Sequence, residues 1–290
     1  MMTENMERGI TTMRICFYGA GSMAEAIARG LIHNKLVEPG QISMLNRSNE
    51  QRLTELHDRY GVQTVLQGTN NDTYLKEADI IFLAMKPKDA AEAIAAIAPL
   101  LHSKQLIVSV IAGLSIASME RLLGEEQPIV RTMPNTSSTI GLGATGISYS
   151  SKVTSSQRLI SEAMFQSIGI NAVVEESLQD SVVGVSGSGP AYVYLVMEAM
   201  LTAAEKLGFD PDTAKELVVQ TVLGAAQMVK QTGESPEQLR RKVTSPNGTT
   251  QAAIETMTEA GLPEAIVKGM LRSSERAAEI GTVIERSIAE

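Results

Sequence analysis

The run Arg14-Ile15-Cys16-Phe17-Tyr18-Gly19-Ala20-Gly21-Ser22-Met23-Ala24 joins an apolar strand to a glycine turn, and the turn to a helix rich in small residues at Ala24, Ala26, Ala28 and Gly30. The turn reads G-x-G-x-x-A. In a dinucleotide-binding loop the first Gly makes the tight turn, the second lets backbone approach a pyrophosphate, and the small third residue lets helix and strand pack closely. The helix N-terminus then offers N–H groups and the positive end of its dipole to the anion. A plain packing turn also uses Gly and Ala, so the pattern gains its meaning from what surrounds it.

From Arg14 to about Thr132, short apolar runs alternate with helical segments. RICFYG is followed by a helix to His33, ISMLN by a helix to Tyr60, and VQTVL by a short helix. DIIFLAMKP, a helix to Leu101, QLIVSVIAG, a helix to Leu123 and PIVRTMPN complete the series. Strands alternating with helices of this length imply right-handed crossovers and a parallel sheet, hence a doubly wound α/β Rossmann domain. ATGISYS, a helix near Gln157 to Gln166 and INAVVEE are expected to finish the sheet edge.

After Ser177 the pattern changes. From Pro190 to Glu290 only helical periods occur, punctuated by Gly208-Phe209-Asp210-Pro211, Gly233 to Pro236, Ser245 to Gly248 and Gly261-Leu262-Pro263. The expected organisation is a disordered leader over 1–12, with Met13 as an alternative start, a Rossmann domain over 13–176, and an all-α substrate and dimerisation domain over 177–290.

Composition narrows the function class. A net charge of -8 disfavours a phosphate-backbone partner, because nucleic-acid binding rests on clustered Lys and Arg. The single Cys16 sits in an apolar run, which reads as a buried structural thiol in a reducing cytoplasm and leaves no multi-cysteine metal site. No apolar run approaches the roughly eighteen residues of a membrane span. His33, His57 and His102 lie in or beside first-half helices and read as exposed helix residues, so a second-half histidine acid-base is excluded and no metal site is expected.

Cofactor choice is read after the second strand. An NAD-binding domain typically places Asp or Glu there against the ribose 2′-hydroxyl, whereas this chain carries Asn46-Arg47-Ser48. With no carboxylate to repel a 2′-phosphate, and with Arg47 able to pair with one, NADPH is the expected cofactor and NADH a weaker alternative. A solvated surface arginine is the bland reading of Arg47.

Two hydroxyl-rich loops precede helices in the second half: Ser186-Gly187-Ser188-Gly189-Pro190 and Val243-Thr244-Ser245-Pro246-Asn247-Gly248-Thr249-Thr250. Hydroxyls and free N–H groups at a helix start can hold a carboxylate, or can simply cap the helix.

These motifs, with Asn71 eight residues before Asp79, Met85-Lys86-Pro87, Ala112-Gly113, Arg131-Thr132-Met133-Pro134-Asn135 and SGSGPAY, resemble the pyrroline-5-carboxylate reductase family from Met13 to the C-terminus. One departure is Asn247, where a second Gly is usual. Asn tolerates a left-handed backbone best after Gly, so the loop shape is expected to survive.

The resemblance implies hydride transfer from NADPH to the C=N carbon of L-1-pyrroline-5-carboxylate, the last step of proline biosynthesis. It also implies cofactor contacts at Gly19, Ala20, Gly21, Ser22, Met23, Ala24, Asn46, Arg47, Ser48, Asn71, Ala84, Met85, Lys86, Pro87, Ala112 and Gly113. Substrate contacts fall on Ser245, Gly248 and Thr249, with Thr250 hydrogen-bonding the ring nitrogen as the catalytic contact. A cyclic imine can protonate in solution near neutrality, so a helical half without histidine is chemically reasonable.

Two rival readings are weighed. A β-hydroxyacid dehydrogenase needs a lysine about four residues beyond the SGSGP loop; Val193 occupies that place and Lys206 lies some four turns away. A non-catalytic NADPH-binding regulatory paralogue would be marked by loss of Thr250 or the Ser245 loop, and both are intact.

The helix from Pro190 to Leu207 confines its polar residues to a stripe at Tyr194, Glu198, Thr202 and Glu205-Lys206. The next helix clusters its own at Lys215-Glu216, Gln220, Gln227 and Lys230-Gln231. Each has more apolar surface than one neighbour covers, so a homodimer through the helical domain is expected, with higher assembly open.

Overall fold

The computed structural model describes residues 10, 12–68 and 71–289. Most of the expected leader lies outside the described residues. Ile10, within that leader, is fully buried in the core.

Eight strands form one sheet in the order β3-β2-β1-β4-β5-β6-β7-β8. They are β1 Ile15–Tyr18, β2 Ile42–Asn46, β3 Gln63–Leu66, β4 Ile80–Leu83, β5 Leu106–Ser109, β6 Ile129–Met133, β7 Gly143–Tyr149 and β8 Gly169–Val173. Neighbours from β3 through to β6 pair in parallel, β7 runs antiparallel to β6, and β8 runs parallel to β7. The reversal of strand order beside β1 and β4 is the topological switch point, where doubly wound sheets take their ligands.

Strand period two sorts the core. Phe17 and Phe82 pack on one face with α1 Ser22–His33, α2 Glu50–Tyr60 and the helix Ser155–Gln166. Cys16, Tyr18, Ile81 and Leu83 pack on the other with α3 Asp72–Glu77, α4 Ala90–Ile97 and α5 Ile116–Leu123. With helices on both faces, the central strands read as unbroken apolar runs. The Phe17 and Phe82 rings stack with centroids 4.5 Å apart, and Phe165 meets Phe82 edge-on at 6.3 Å. Phe165 comes from Ser155–Gln166, which is α6.

Capping chemistry sets the helix bounds. Asn49 accepts from the Arg52 N–H to open α2, and Gly61 closes it at φ 70. Thr154 and Gln157 form a capping box on α6. The later helices are α7 Gln179–Val182, α8 Gly189–Lys206, α9 Pro211–Thr232, α10 Pro236–Lys242, α11 Thr249–Glu259 and α12 Leu262–Ala289. Asp210 opens α9 and Ser235 opens α10, each before a proline at the first helical position.

The chain divides into two compact units, one of residues 1–188 with 272–290 and one of residues 189–271. The helical periods were read as starting a new domain at 177, but residues 177–188 belong with the sheet. Buried Gln179 donates from Nε2 to Ser148 Oγ at 2.9 Å and to the Arg131 carbonyl at 3.3 Å. The Arg131 guanidinium pairs with Asp180 at 2.7 Å and Glu176 at 3.2 Å. At the other end, Ile284 of α12 is buried in the core on the second sheet face. Periodicity reports that a segment is helical and not which core it joins.

The Ser186-to-Pro190 loop also differs from a simple helix start. The chain is already helical from Gln179, and Val183–Gly187 forms a π-helical turn closed by the Ser188 N–H on the Val183 carbonyl at 2.8 Å. Gly187 lies close to Met133, whose methyl would have to shift to make room for a Cβ there. Among the described residues no helix is long and apolar enough to cross a membrane.

Candidate functional site

The first crossover turn is built around two different glycines. Gly19 has φ 120, and a Cβ on it would collide with the Ala84 carbonyl of the neighbouring strand end. Gly21 opens α1 in extended conformation with no side-chain cap, and nothing lies within 4 Å of where its Cβ would stand. One glycine is therefore used inward, for packing, and the other outward, leaving the first N–H groups of α1 open to an anion. Ala24 is fully buried, which is the close helix-to-strand contact its position calls for.

A cleft of about 440 Å³ opens beside this turn. It brings together Gly19, Ala20, Gly21, Asn46, Arg47, Ser48, Ala84, Met85 and Lys86, which come from the ends of β1, β2 and β4. The Asn46 side chain accepts from the N–H groups of Ser48 at 3.1 Å and Asn49 at 3.0 Å, fixing the turn that presents Arg47. Arg47 is exposed, and its nearest charge is Asp89 at 3.7 Å, a contact too open to immobilise it.

Sequence reading missed five residues of this cleft, Tyr18, Gln67, Lys88, Asp89 and Ala93, of which Lys88 and Asp89 are charged. These two lie in the short turn Pro87–Asp89, whose composition carries no signal beyond its place after a strand. With Arg47, Lys86 and Lys88 against Asp89, the lining is net cationic, as a polyanionic cofactor requires.

The other expected contacts lie outside that lining. Ser22 is exposed and Met23 half-buried at the start of α1. Asn71 accepts from the Gly68 N–H at 3.3 Å, and its neighbours 69 and 70 lie outside the described residues. Ala112 and Gly113 follow β5 at the same sheet edge; Gly113 has φ 79, and a Cβ there would stand 2.9 Å from the Gly281 nitrogen of α12.

Behind the glycine turn sits Glu25, in the first turn of α1. It accepts from Arg52, from Arg59 at 2.9 Å and from the Tyr60 hydroxyl at 2.7 Å. Burial alone would push this carboxyl up, but the hydrogen bonds from Arg52 and Tyr60 and the charges of Arg52 and Arg59 outweigh it and hold the group below the ordinary carboxylate range. Cys16 is buried in β1 on the second sheet face, and desolvation pushes its thiol up to about 12, so it is an inert packing group.

In the helical unit, the turn Ser245 to Gly248 is closed by the Gly248 N–H on the Ser245 carbonyl at 3.1 Å. Asn247 takes φ 57, the left-handed conformation expected of the residue standing where Gly is usual. The Gln251 side chain accepts from the Asn247 N–H at 2.8 Å. Gly248 then opens α11 with no side-chain cap, and among the described residues the hydroxyls of Ser245, Thr249 and Thr250 take no hydrogen-bond partner. Three hydroxyls without a protein partner thus surround an uncapped helix start. Among the described residues no cluster of His, Cys, Asp or Glu is placed to hold a metal.

A doubly wound sheet that leaves its first crossover turn free for an anion, beside a cationic cleft, is the frame of a nicotinamide-dependent oxidoreductase. Comparison with known proteins narrows that class. Residues 14–113 match the family described as NADP oxidoreductase, coenzyme F420-dependent, and residues 176–280 match the family described as pyrroline-5-carboxylate reductase dimerisation. A pyrroline-5-carboxylate reductase 2 of Bacillus subtilis is 41% identical over 278 residues, covering 94% of this chain and 99% of its own. A pyrroline-5-carboxylate reductase structure from Coxiella burnetii superposes with a TM-score of 0.84 at 37% identity, over 93% of this chain and 98% of its own. One from Plasmodium falciparum, solved with NADP bound, gives 0.85 at 27% identity, over 94% of this chain and 100% of its own. The chain belongs to the pyrroline-5-carboxylate reductase family.

Proposed function

We propose that this chain reduces the C=N bond of L-1-pyrroline-5-carboxylate to L-proline with NADPH, and so performs the last step of proline biosynthesis. The observation that carries this reading is the Ser245–Thr250 turn, where an uncapped helix start and three unpartnered hydroxyls match a small carboxylate with an adjacent ring nitrogen.

When bound, NADPH supplies the hydride. Gly21 and the first N–H groups of α1 hold its pyrophosphate, and Arg47 with Ser48 takes the 2′-phosphate. Asn71, Ala84 to Pro87 and Ala112-Gly113 supply the remaining contacts that the family resemblance implies. Ser245 Oγ and the N–H groups of Gly248 and Thr249 bind the substrate carboxylate. The Thr250 hydroxyl hydrogen-bonds the ring nitrogen and keeps that bond as the imine becomes an amine. Positioning carries the catalysis, since a substrate imine protonated in solution needs no strong acid from the protein.

The protein acts as a homodimer through its helical half, which can assemble further, with small molecules and not nucleic acid as its ligands. The net charge of -8 and the reduced, buried Cys16 support this reading and a cytoplasmic location.

Loss of NADPH absorbance on addition of L-1-pyrroline-5-carboxylate, with matching formation of proline, is the direct test, and absence of turnover overturns the proposal. NADPH is expected to exceed NADH by at least about tenfold in kcat/KM, with Arg47→Ala removing most of the difference. Equal use of both cofactors by the unaltered enzyme would remove the role given to Arg47.

A further inference from the structure

A carboxylate in the first turn of α1 stands where a dinucleotide pyrophosphate needs positive potential. Glu25 is that carboxylate, and left alone it would oppose the anion that the glycine turn is shaped to hold. It is not left alone. Arg52 and Arg59, both from α2, donate to it, and with Glu55 3.7 Å from Arg52 the four side chains carry two negative and two positive charges, so Glu25 is neutralised. Tyr60, at the end of the same helix, adds a neutral hydrogen bond.

Arg52 does a second thing. Its Nε–H donates to the Ala20 carbonyl at 3.2 Å, inside the G-A-G turn itself. Its own backbone N–H is received by Asn49, whose N–H in turn is received by Asn46 in the turn that presents Arg47. One residue thus ties the pyrophosphate turn to the helix that carries the ribose-phosphate turn. Its side chain is largely enclosed, with 21% of its surface exposed, so the fork is fixed in this geometry.

We infer that Arg52 is a positioning residue for the dinucleotide turn, setting the path of Ala20 and neutralising the Glu25 carboxylate that would otherwise repel the pyrophosphate. The inference rests on reading Gly19 to Ala24 as the cofactor turn. Because the pyrophosphate is common to both nicotinamide cofactors, Arg52 acts on NADPH and NADH alike, unlike Arg47, which meets only the phosphorylated one.

The test is titration calorimetry of the full-length protein with NADPH and with NADH, alongside thermal melts. R52Q is expected to weaken both cofactors by the same factor, about tenfold, the scale of one charge-assisted hydrogen bond. R52K, which keeps the charge but loses the rigid fork, recovers part of that loss. E25Q removes the negative charge while Arg52 keeps its bond to Ala20, and it binds both cofactors at least as tightly as the parent. These opposite signs distinguish positioning with charge neutralisation from simple packing, which would make every variant bind worse. Parental affinity in R52Q, or weakening in E25Q that follows R52Q, overturns the inference. If R52Q does not fold, R52K and E25Q still decide by the sign of their difference. Failure of the parent itself to bind either cofactor would remove the dinucleotide reading, and this inference with it.

Discussion

In the sheet-bearing unit, Phe17, Phe82 and Phe165 are sealed inside two clusters that the chain closes with its own helices. In the helical unit, residues 189–271, Ala214 and Val218 are the only fully buried side chains. Leu195, Leu217 and Met228 there stand half-exposed or more, and Leu223 nearly so. The difference is not one of propensity, since both units are well capped and regular. It lies in where the partner surface is: strands apolar on both faces find helices in the same chain, while helices with a single narrow polar stripe need more neighbours than residues 189–271 supply. A unit of this size with so little interior draws little stability from its own core.

The comparison can be broken by mutation. The largest effect is expected in the self-sufficient core, where Phe82→Ala removes both ring contacts and costs about 3–5 kcal/mol by denaturant unfolding. A cost below about 1 kcal/mol would mean that this core is looser than its packing shows.

Next comes the helical unit's chemistry. Thr250→Ala is expected to lower kcat about a hundredfold while leaving NADPH affinity unchanged, and Thr250→Ser keeps much of the activity. Normal turnover by Thr250→Ala would reduce the Ser245–Thr250 turn to an ordinary helix cap.

The sharpest probe of the contrast is smaller. Leu195 is 66% exposed in the single chain, so Leu195→Ala would be nearly neutral if the helical unit stood alone. Covered by a second copy, it is expected to cost about 2 kcal/mol, as an interior leucine does. A change within about 0.5 kcal/mol would leave the apolar helix faces without the partner argued for them.

Sequence reading reached the two units unequally for related physical reasons. Every strand through β8 was legible because short apolar runs alternating with helical periods have few solutions other than strands of a doubly wound sheet. The Asn247 backbone was legible through the family resemblance, since Asn stands where Gly is usual and tolerates positive φ best after it. The end of the sheet-bearing unit was not. Gln179 joins Arg131, and Ile284 joins the second sheet face, through long-range contacts, and nothing local in a helical period names its packing partner. Arg52 escaped for the same reason: on its own helix it reads as an ordinary surface arginine, and its bond to the Ala20 carbonyl joins residues 32 positions apart. The cationic cleft was half-legible, with Arg47 marked by its place after β2 and Lys88 hidden in an unremarkable turn.

What the comparison of units claims above all is that the helical half completes its interior with a second copy of the chain. Light scattering on the active enzyme at low micromolar concentration measures this directly. The account predicts a mass of at least twice the 31.0 kDa chain, persisting on dilution for as long as activity persists. A folded, fully active species at 31.0 kDa would contradict it.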